Sequence, residues 1–153
     1  MTSRRYFLTG TAIAAASLPL MSLQPALAAK DPVYSSWGVA IKGTDPVAYF
    51  TQNRPVEGSK EHQHDYQGAT FYFSSAENRD LFAANPAKYA PQYGGYCAWA
   101  VSLGYTASTV PVAFTTVDGK LYLNYSLGVR TQWESNQANC IRLGDENWPS
   151  VLN

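Results

Sequence analysis

The chain has 153 residues, with 11 basic and 11 acidic side chains and a formal net charge of zero at pH 7. This balance excludes the electrostatic footprint of a nucleic-acid-binding protein, which concentrates lysine and arginine on one face. Aromatic residues make up 14% of the chain and only two cysteines are present, so the sequence predicts a core of packed rings that needs neither metal nor disulfide.

The first 28 residues have the pattern of an export signal and are set aside before the fold is considered. Arg4 and Arg5 form a positive start, an uncharged apolar run extends from Thr11 to Leu23, and Ala26-Leu27-Ala28 has the A-x-A form of a cleavage site. The run is shorter than the roughly 20 apolar residues that span a bilayer. The doubly basic start resembles the twin-arginine signal, which exports folded proteins; an ordinary secretory signal is the alternative.

Cleavage after Ala28 would leave residues 29–153, a length that predicts one domain. The export signal predicts that this domain lies in the periplasm. Without Arg4 and Arg5, this segment carries 9 basic and 11 acidic residues. No basic stripe for a membrane surface follows the signal. We therefore expect a signal peptide over residues 1–28 and a domain over residues 29–153 that binds neither nucleic acid nor membrane; the sequence names no protein partner.

The first half of this domain is predicted to contain short extended segments followed by a helix. The extended segments are residues 39–43, 45–50, 62–66 and 70–73. Ser74 and Glu77 have the spacing of a capping box at a helix start, and the helix is expected over residues 75–85, before Pro86. Leu81 and Phe82 are its predicted inward anchors.

The second half is predicted to contain a hairpin and a long helix. Residues 112–117 and 120–125 flank Asp118-Gly119, a strong signal for a tight hairpin turn. A helix is expected over residues 127–143, stopped by Gly144 at the usual C-terminal glycine position. We therefore predict an α+β fold, a small single domain of antiparallel hairpins packed with two helices.

An ordered set of segments relates the chain to a known family. The segments are residues 45–50, 66–73, 75–79, 88–97, 118–125 and 147–149. Together they resemble the exported branch of the YHS domain proteins, over Val39 to Pro149. The resemblance implies a small metal-binding module like those found in copper-transporting ATPases and related heavy-metal proteins. The sequence contains no nucleophile elbow, H-E-x-x-H, phosphate loop or C-x-x-C, so we do not expect an enzyme.

The sequence departs from the resemblance at the family's metal ligands. In YHS domains of the metal-binding kind, one cysteine follows the Asp-Pro-Val element and two flank the start of the helix. Ala48, Ser74 and Asn78 stand at the corresponding places here. Alanine cannot ligate, and serine and asparagine are poor ligands for a soft metal. The resemblance therefore does not carry the family's cysteine site to this chain.

Cys97 follows Gly94 and Gly95, and three interpretations of it stay open. It is a buried small hydrophobe, half of a disulfide with Cys140 in an oxidising periplasm, or a thiolate ligand or reactive group. The disulfide belongs to the alternative function, a non-catalytic structural or interaction domain. Cys140 itself lies on the apolar stripe of the predicted last helix.

His62 and His64 are the remaining candidates for metal binding. Residues two apart on a strand share a face, so both imidazoles can reach one ion, and imidazole suits copper, zinc, iron and nickel. The alternative is that both rings lie on a solvated edge strand. We predict a metal-binding module whose ligands are Cys97, His64 and His62, for copper or another transition metal or a metal-containing ligand. A second candidate is the aromatic cluster of Tyr93, Tyr96, Trp99 and Tyr105, as the lining of a pocket for a flat ligand such as haem or a quinone, or as core.

Overall fold

A computed structural model describes residues 29–153, so the predicted export signal lies outside the described residues. The strands in this part of the chain are β1 (Ser35–Ser36), β2 (Val39–Ala40), β3 (Ser59–Tyr66), β4 (Ala69–Phe73), β5 (Phe114–Val117) and β6 (Lys120–Leu123). The α-helices are α1 (Ala48–Thr51), α2 (Ala76–Ala84), α3 (Pro86–Tyr89), α4 (Ala98–Ser102), α5 (Leu127–Ser135) and α6 (Gln137–Asn147). The predicted α+β class is confirmed, although six α-helices form where two were expected.

The strands form a four-stranded sheet in the order β1-β2-β4-β3 and a separate hairpin of β5 and β6. The pairing of β2 with β4 is parallel, whereas the other pairings are antiparallel. Asp118 and Gly119 connect β5 to β6 with φ of 51° and 74°. These left-handed angles match the twist of a tight hairpin, as the sequence predicted.

The first core lies between the four-stranded sheet and α2. Alternate residues of β4, Ala69, Phe71 and Phe73, are buried, because neighbouring strand residues point to opposite faces. The ring of Phe82 on α2 packs on them, with its centroid 4.8 Å from that of Phe71. Leu81, predicted to face inward, is 41% exposed. The true N-cap of α2 is Ser75, whose hydroxyl accepts a hydrogen bond from the Asn78 amide.

The second core is built from rings of the C-terminal half. Trp133 on α5 is fully buried and stacks at 5.0 Å from Tyr122 of β6. Tyr93 and Cys140 belong to the same cluster. No helix among the described residues is both long enough and apolar enough to cross a bilayer.

Two predicted elements are wrong. Residues 45–50 are not extended, because the Asp45 carboxylate accepts the amide of Val47 and turns the chain into α1. The single helix over residues 127–143 is interrupted at Asn136, whose backbone leaves helical geometry at φ −137° and ψ 39°. Gly144 does not stop the second part but lies inside α6. A side chain there would collide with the Tyr93 hydroxyl, 2.5 Å from the Cβ position.

Candidate functional site

The three positions that hold cysteines in metal-binding YHS domains converge on one buried carboxylate. Oδ2 of Asp45 accepts hydrogen bonds from the Ser74 amide (2.8 Å), the Ser74 hydroxyl (2.7 Å) and the Asn78 side chain (2.8 Å). Oδ1 accepts the Val47 amide at 2.9 Å and the Ala48 amide at 3.4 Å. Asp45 is completely buried. We call Asp45, Ser74 and Asn78 the Asp45 cluster.

The Asp45 cluster does not fit a soft metal ion. Copper(I) and zinc in such sites are held by thiolates, and the cluster contains none. Both oxygens of Asp45 are already occupied by donors from the protein. The cluster therefore ties α1, the end of β4 and the start of α2 together, which is a structural role.

The predicted metal ligands are not brought together. His64 lies on the edge strand β3, with its ring packed edge-on to Phe82 at 6.0 Å, and Nδ1 of His62 is buried without a hydrogen-bond partner among the described residues. Cys97 belongs to the other half of the fold, at the start of α4. Within residues 29–153, no group of three His, Cys, Asp or Glu side chains is placed to hold a metal ion.

Cys97 lies in the wall of a small pocket. Its side chain is 1% exposed, and the thiol donates to Oδ1 of Asn124 at 3.6 Å. The same oxygen accepts the Trp99 amide at 3.0 Å. Trp99, Tyr105 and Tyr125 line the pocket beside the sulfur, with a volume of about 270 Å³. Two of the predicted aromatic residues, Trp99 and Tyr105, thus line a pocket, but the contacts of the sulfur are those of a buried thiol.

The disulfide with Cys140, one of the three interpretations of Cys97, is not formed, since both residues are free thiols. Cys97 precedes α4, whereas Cys140 lies on α6. Burial raises the pKa of the Cys140 thiol, and the side chain of Ser102 offsets only part of this effect.

We expect two free thiols per chain. Denatured, unreduced protein should give two thiols with a thiol-specific dye, and native protein should react at least about 100-fold more slowly, because the dye must wait for local opening of the core. Cys97→Ser and Cys140→Ser should each give one thiol when denatured. A denatured wild-type protein with no reactive thiol would instead establish the disulfide.

A cleft of about 280 Å³ opens between β4 and α6. Its lining includes Tyr66, Phe71, Gln92, Tyr93, Asp145 and Trp148, and we call it the Asp145 cleft. The Tyr93 hydroxyl donates to Oδ1 of Asp145 at 2.9 Å. The pKa of Tyr93 is raised, first by burial and then by the hydrogen bond and charge of Asp145, so the hydroxyl keeps its proton and remains the donor.

The wall of the Asp145 cleft has an unusual backbone. Tyr93, Gly94 and Gly95 are successive left-handed residues, with φ of 56°, 62° and 83°. A Cβ at Gly94 would collide with the carbonyl of Pro32, so this position requires glycine. Glycine adopts these angles readily, so Tyr93 is the strained residue of the three, and residues of this kind are concentrated at functional sites.

The sequence model of the YHS domain family matches residues 47–93. The chain contains a YHS domain. The match includes all three former cysteine positions, Ala48, Ser74 and Asn78, and it ends at Tyr93, before Cys97. Neither the curated proteins nor the solved structures gave a match.

The Asp145 cleft therefore lies where the YHS domain meets the C-terminal segment. Tyr66, Phe71 and Tyr93 come from the YHS domain, and Asp145 and Trp148 come from beyond it. Ligand pockets are typically apolar clefts with a few convergent polar groups, as this cleft is.

Sequence reasoning missed Asp145 as a site residue. Gly144 was expected to end the helix, which left Asp145 in a loop with no reason to face Tyr93. No local pattern in the sequence pointed to Asp145, because its place beside the Tyr93 hydroxyl depends on how α6 packs. Trp148 belongs to the segments that carry the family resemblance, but its position in the wall of the Asp145 cleft depends on where α6 ends.

Proposed function

We propose that this YHS domain protein is a non-catalytic periplasmic binding module whose ligand is a small organic cation held in the Asp145 cleft. One observation carries the proposal: a carboxylate lies in a cleft that, within residues 29–153, is lined by aromatic rings and by no lysine or arginine. The export pattern of residues 1–28 supports the periplasmic location.

The Asp145 carboxylate is available to a ligand. It accepts one hydrogen bond from the protein, from Tyr93, and an ionised carboxylate has about four acceptor positions. The basic residue one turn earlier on α6, Arg142, is engaged by Glu146 at 2.7 Å. Among residues 29–153, Asp145 takes part in no ion pair. A charged donor from outside the protein is the group that complements it.

The aromatic rings of the cleft favour a ligand whose charged group is attached to an apolar body. Trp148 lies 6.1 Å from Tyr93, and Tyr66 lies 6.2 Å from Phe71, centroid to centroid. Aromatic faces attract a cation within about 6 Å and also cover apolar groups. An ammonium group beside Asp145, on a compact apolar body that contacts Tyr66 and Trp148, satisfies both requirements.

An organic cation replaces the transition metal in this proposal. The metal predicted with Cys97, His64 and His62 lacks an assembled ligand set in the described part of the chain, and the Asp45 cluster offers no thiolate. The Asp145 cleft also has a single carboxylate and no histidine or cysteine in its lining. The cleft instead offers a ligand one carboxylate that accepts hydrogen bonds and several aromatic rings.

Three probes that share one phenyl ring test the proposal: phenethylamine, 2-phenylethanol and phenylacetate. We expect the cation to bind at least about tenfold more tightly than the neutral alcohol, since one charge-assisted hydrogen bond exceeds about 1.4 kcal/mol, and the anion not to bind. Asp145→Asn should remove this preference. Glu61→Gln, which changes an exposed carboxylate outside the cleft lining, is the matched control and should leave it intact. Affinities are read from calorimetric titration and from shifts of cleft-residue NMR signals.

Equal binding of all three probes, or a cation preference that survives in Asp145→Asn, would contradict the proposal. A parallel titration with copper(I) separates it from the metal prediction. Stoichiometric copper that disappears in Cys97→Ser would restore the predicted metal module. Copper binding that is absent or unaffected by Cys97→Ser leaves the organic cation as the ligand.

A further inference from the structure

A second recess lies on the opposite face of the four-stranded sheet. It has a volume of about 610 Å³. Its lining includes Trp37, Val39, Lys42, Glu57, Lys60 and Tyr72, and we call it the Trp37 groove. Tyr72 alternates with the buried Phe71 and Phe73 along β4 and therefore points away from the first core.

Trp37 is the most exposed large apolar side chain of the described residues. It lies in the turn between β1 and β2, with φ of 54°, and its relative exposure is 103%. The other three tryptophans are buried or half-buried. Water therefore reaches both faces of the Trp37 ring, although burial of an aromatic ring is strongly favourable. An exposed tryptophan beside a recess is typical of a binding surface.

Glycines keep the floor of the groove open. A Cβ at Gly58 would lie 2.6 Å from the Tyr72 backbone, and a Cβ at Gly43 would lie 3.3 Å from the Tyr72 ring. Both glycines line the groove. Any side chain at these positions would have to shift Tyr72 or enter the recess.

The charged groups of the groove are free to bind a ligand. Within residues 29–153, Lys42, Lys60 and Glu57 form no ion pair. Lys42 is fixed in a left-handed turn, with φ of 51° between Ile41 at 50° and Gly43 at 82°. A β-branched residue in this region is strained. The groove thus combines two ammonium groups, one carboxylate and two aromatic rings.

We propose that the Trp37 groove binds an acidic saccharide, a sugar chain whose rings carry carboxylates. The apolar face of a sugar ring stacks on Trp37, and the sugar carboxylate meets Lys42 and Lys60. Glu57 accepts hydrogen bonds from sugar hydroxyls, a role that an aromatic acid without hydroxyls would leave unfilled. The excess of two ammonium groups over one carboxylate selects an anionic ligand.

Titration with trigalacturonate tests the proposal, with galactotriose as the matched neutral probe. The indole N–H signal of Trp37, assigned by its loss in Trp37→Phe, should shift with trigalacturonate. We expect affinity for galactotriose to be at least about tenfold weaker, and we expect Trp37→Ala to abolish binding. Lys42→Gln/Lys60→Gln should reduce trigalacturonate affinity to that of the neutral sugar. Leu103→Ala, an exposed apolar change at a residue outside the groove lining, is the control.

The altered residues are exposed, so the variants should fold, and their thermal melting checks this. Equal affinity for both sugars, or trigalacturonate binding that survives Trp37→Ala, would overturn the proposal. Inorganic phosphate that displaces trigalacturonate at equal concentration would reduce the groove to a general anion site and also overturn it. Asp145→Asn must leave trigalacturonate binding unchanged, so the outcome here is independent of the organic cation proposed for the other cleft.

Discussion

Replacing Asp45 with alanine is expected to lower the free energy of unfolding by about 3–5 kcal/mol. The carboxylate is completely buried and accepts bonds from Val47, Ser74 and Asn78. Its removal leaves several buried donors without an acceptor, and each such donor costs about 1–3 kcal/mol. Alanine also leaves a cavity in a closely packed region. Loss of the Asp45 cluster therefore separates α1 from the sheet and from α2.

Urea unfolding followed by circular dichroism measures this loss. Ser74→Ala and Asn78→Ala should each cost less, about 1–2 kcal/mol, because each removes a donor and leaves the carboxylate with its other partners. Asp80→Ala is the matched control, since Asp80 lies on the surface and pairs only with Arg79; a change below about 0.5 kcal/mol is expected. An Asp45→Ala protein within about 1 kcal/mol of wild type would show that the cluster does not hold these elements together.

The sequence predicted the parts of the fold that depend on local patterns. The alternation of Ala69, Phe71 and Phe73 identified the inner face of β4, and Asp118-Gly119 identified the last hairpin. The segment 45–50 was mistaken for a strand because its apolar residues were given more weight than Asp45, whose carboxylate turns the chain by accepting the nearby Val47 and Ala48 amides. The hydrogen bonds that anchor this carboxylate come from residues 29 and 33 positions away and leave no periodic signal.

The residues of the candidate sites were harder to predict than the fold, because their positions depend on which of the two cores each residue packs against. His64 packs on Phe82 in the first core, whereas Cys97 starts α4 beside the second. Residue types suited to metal binding were present, but the topology keeps them apart. Asp145 was not predicted as a site residue, because the packing of Gly144 against Tyr93, which brings Asp145 to the cleft, is a contact between distant parts of the chain.

Cysteines at positions 48, 74 and 78 are expected to create a metal site where none is assembled within residues 29–153. The Ser74 hydroxyl and the Asn78 amide nitrogen lie 3.4 Å apart, and the Ala48 backbone nitrogen lies 3.4 Å from the Asp45 carboxylate. We expect Ala48→Cys/Ser74→Cys/Asn78→Cys to bring three thiols near Asp45. Three thiolates and one carboxylate match the four ligands of tetrahedral zinc.

The triple variant should bind one zinc ion with a dissociation constant below about 1 µM, or about 8 kcal/mol, which is modest for a structural zinc site. Cobalt(II) absorption and chelator competition measure binding. Without metal the variant should be less stable than wild type, since Asp45 loses two side-chain donors; zinc at 100 times its dissociation constant should return about 2.7 kcal/mol. Ala48→Ser/Asn78→Ser has hydroxyls at the same three positions and should bind no zinc. A folded triple variant that also binds none would show that this YHS domain has lost the backbone geometry of a metal site as well as its thiols.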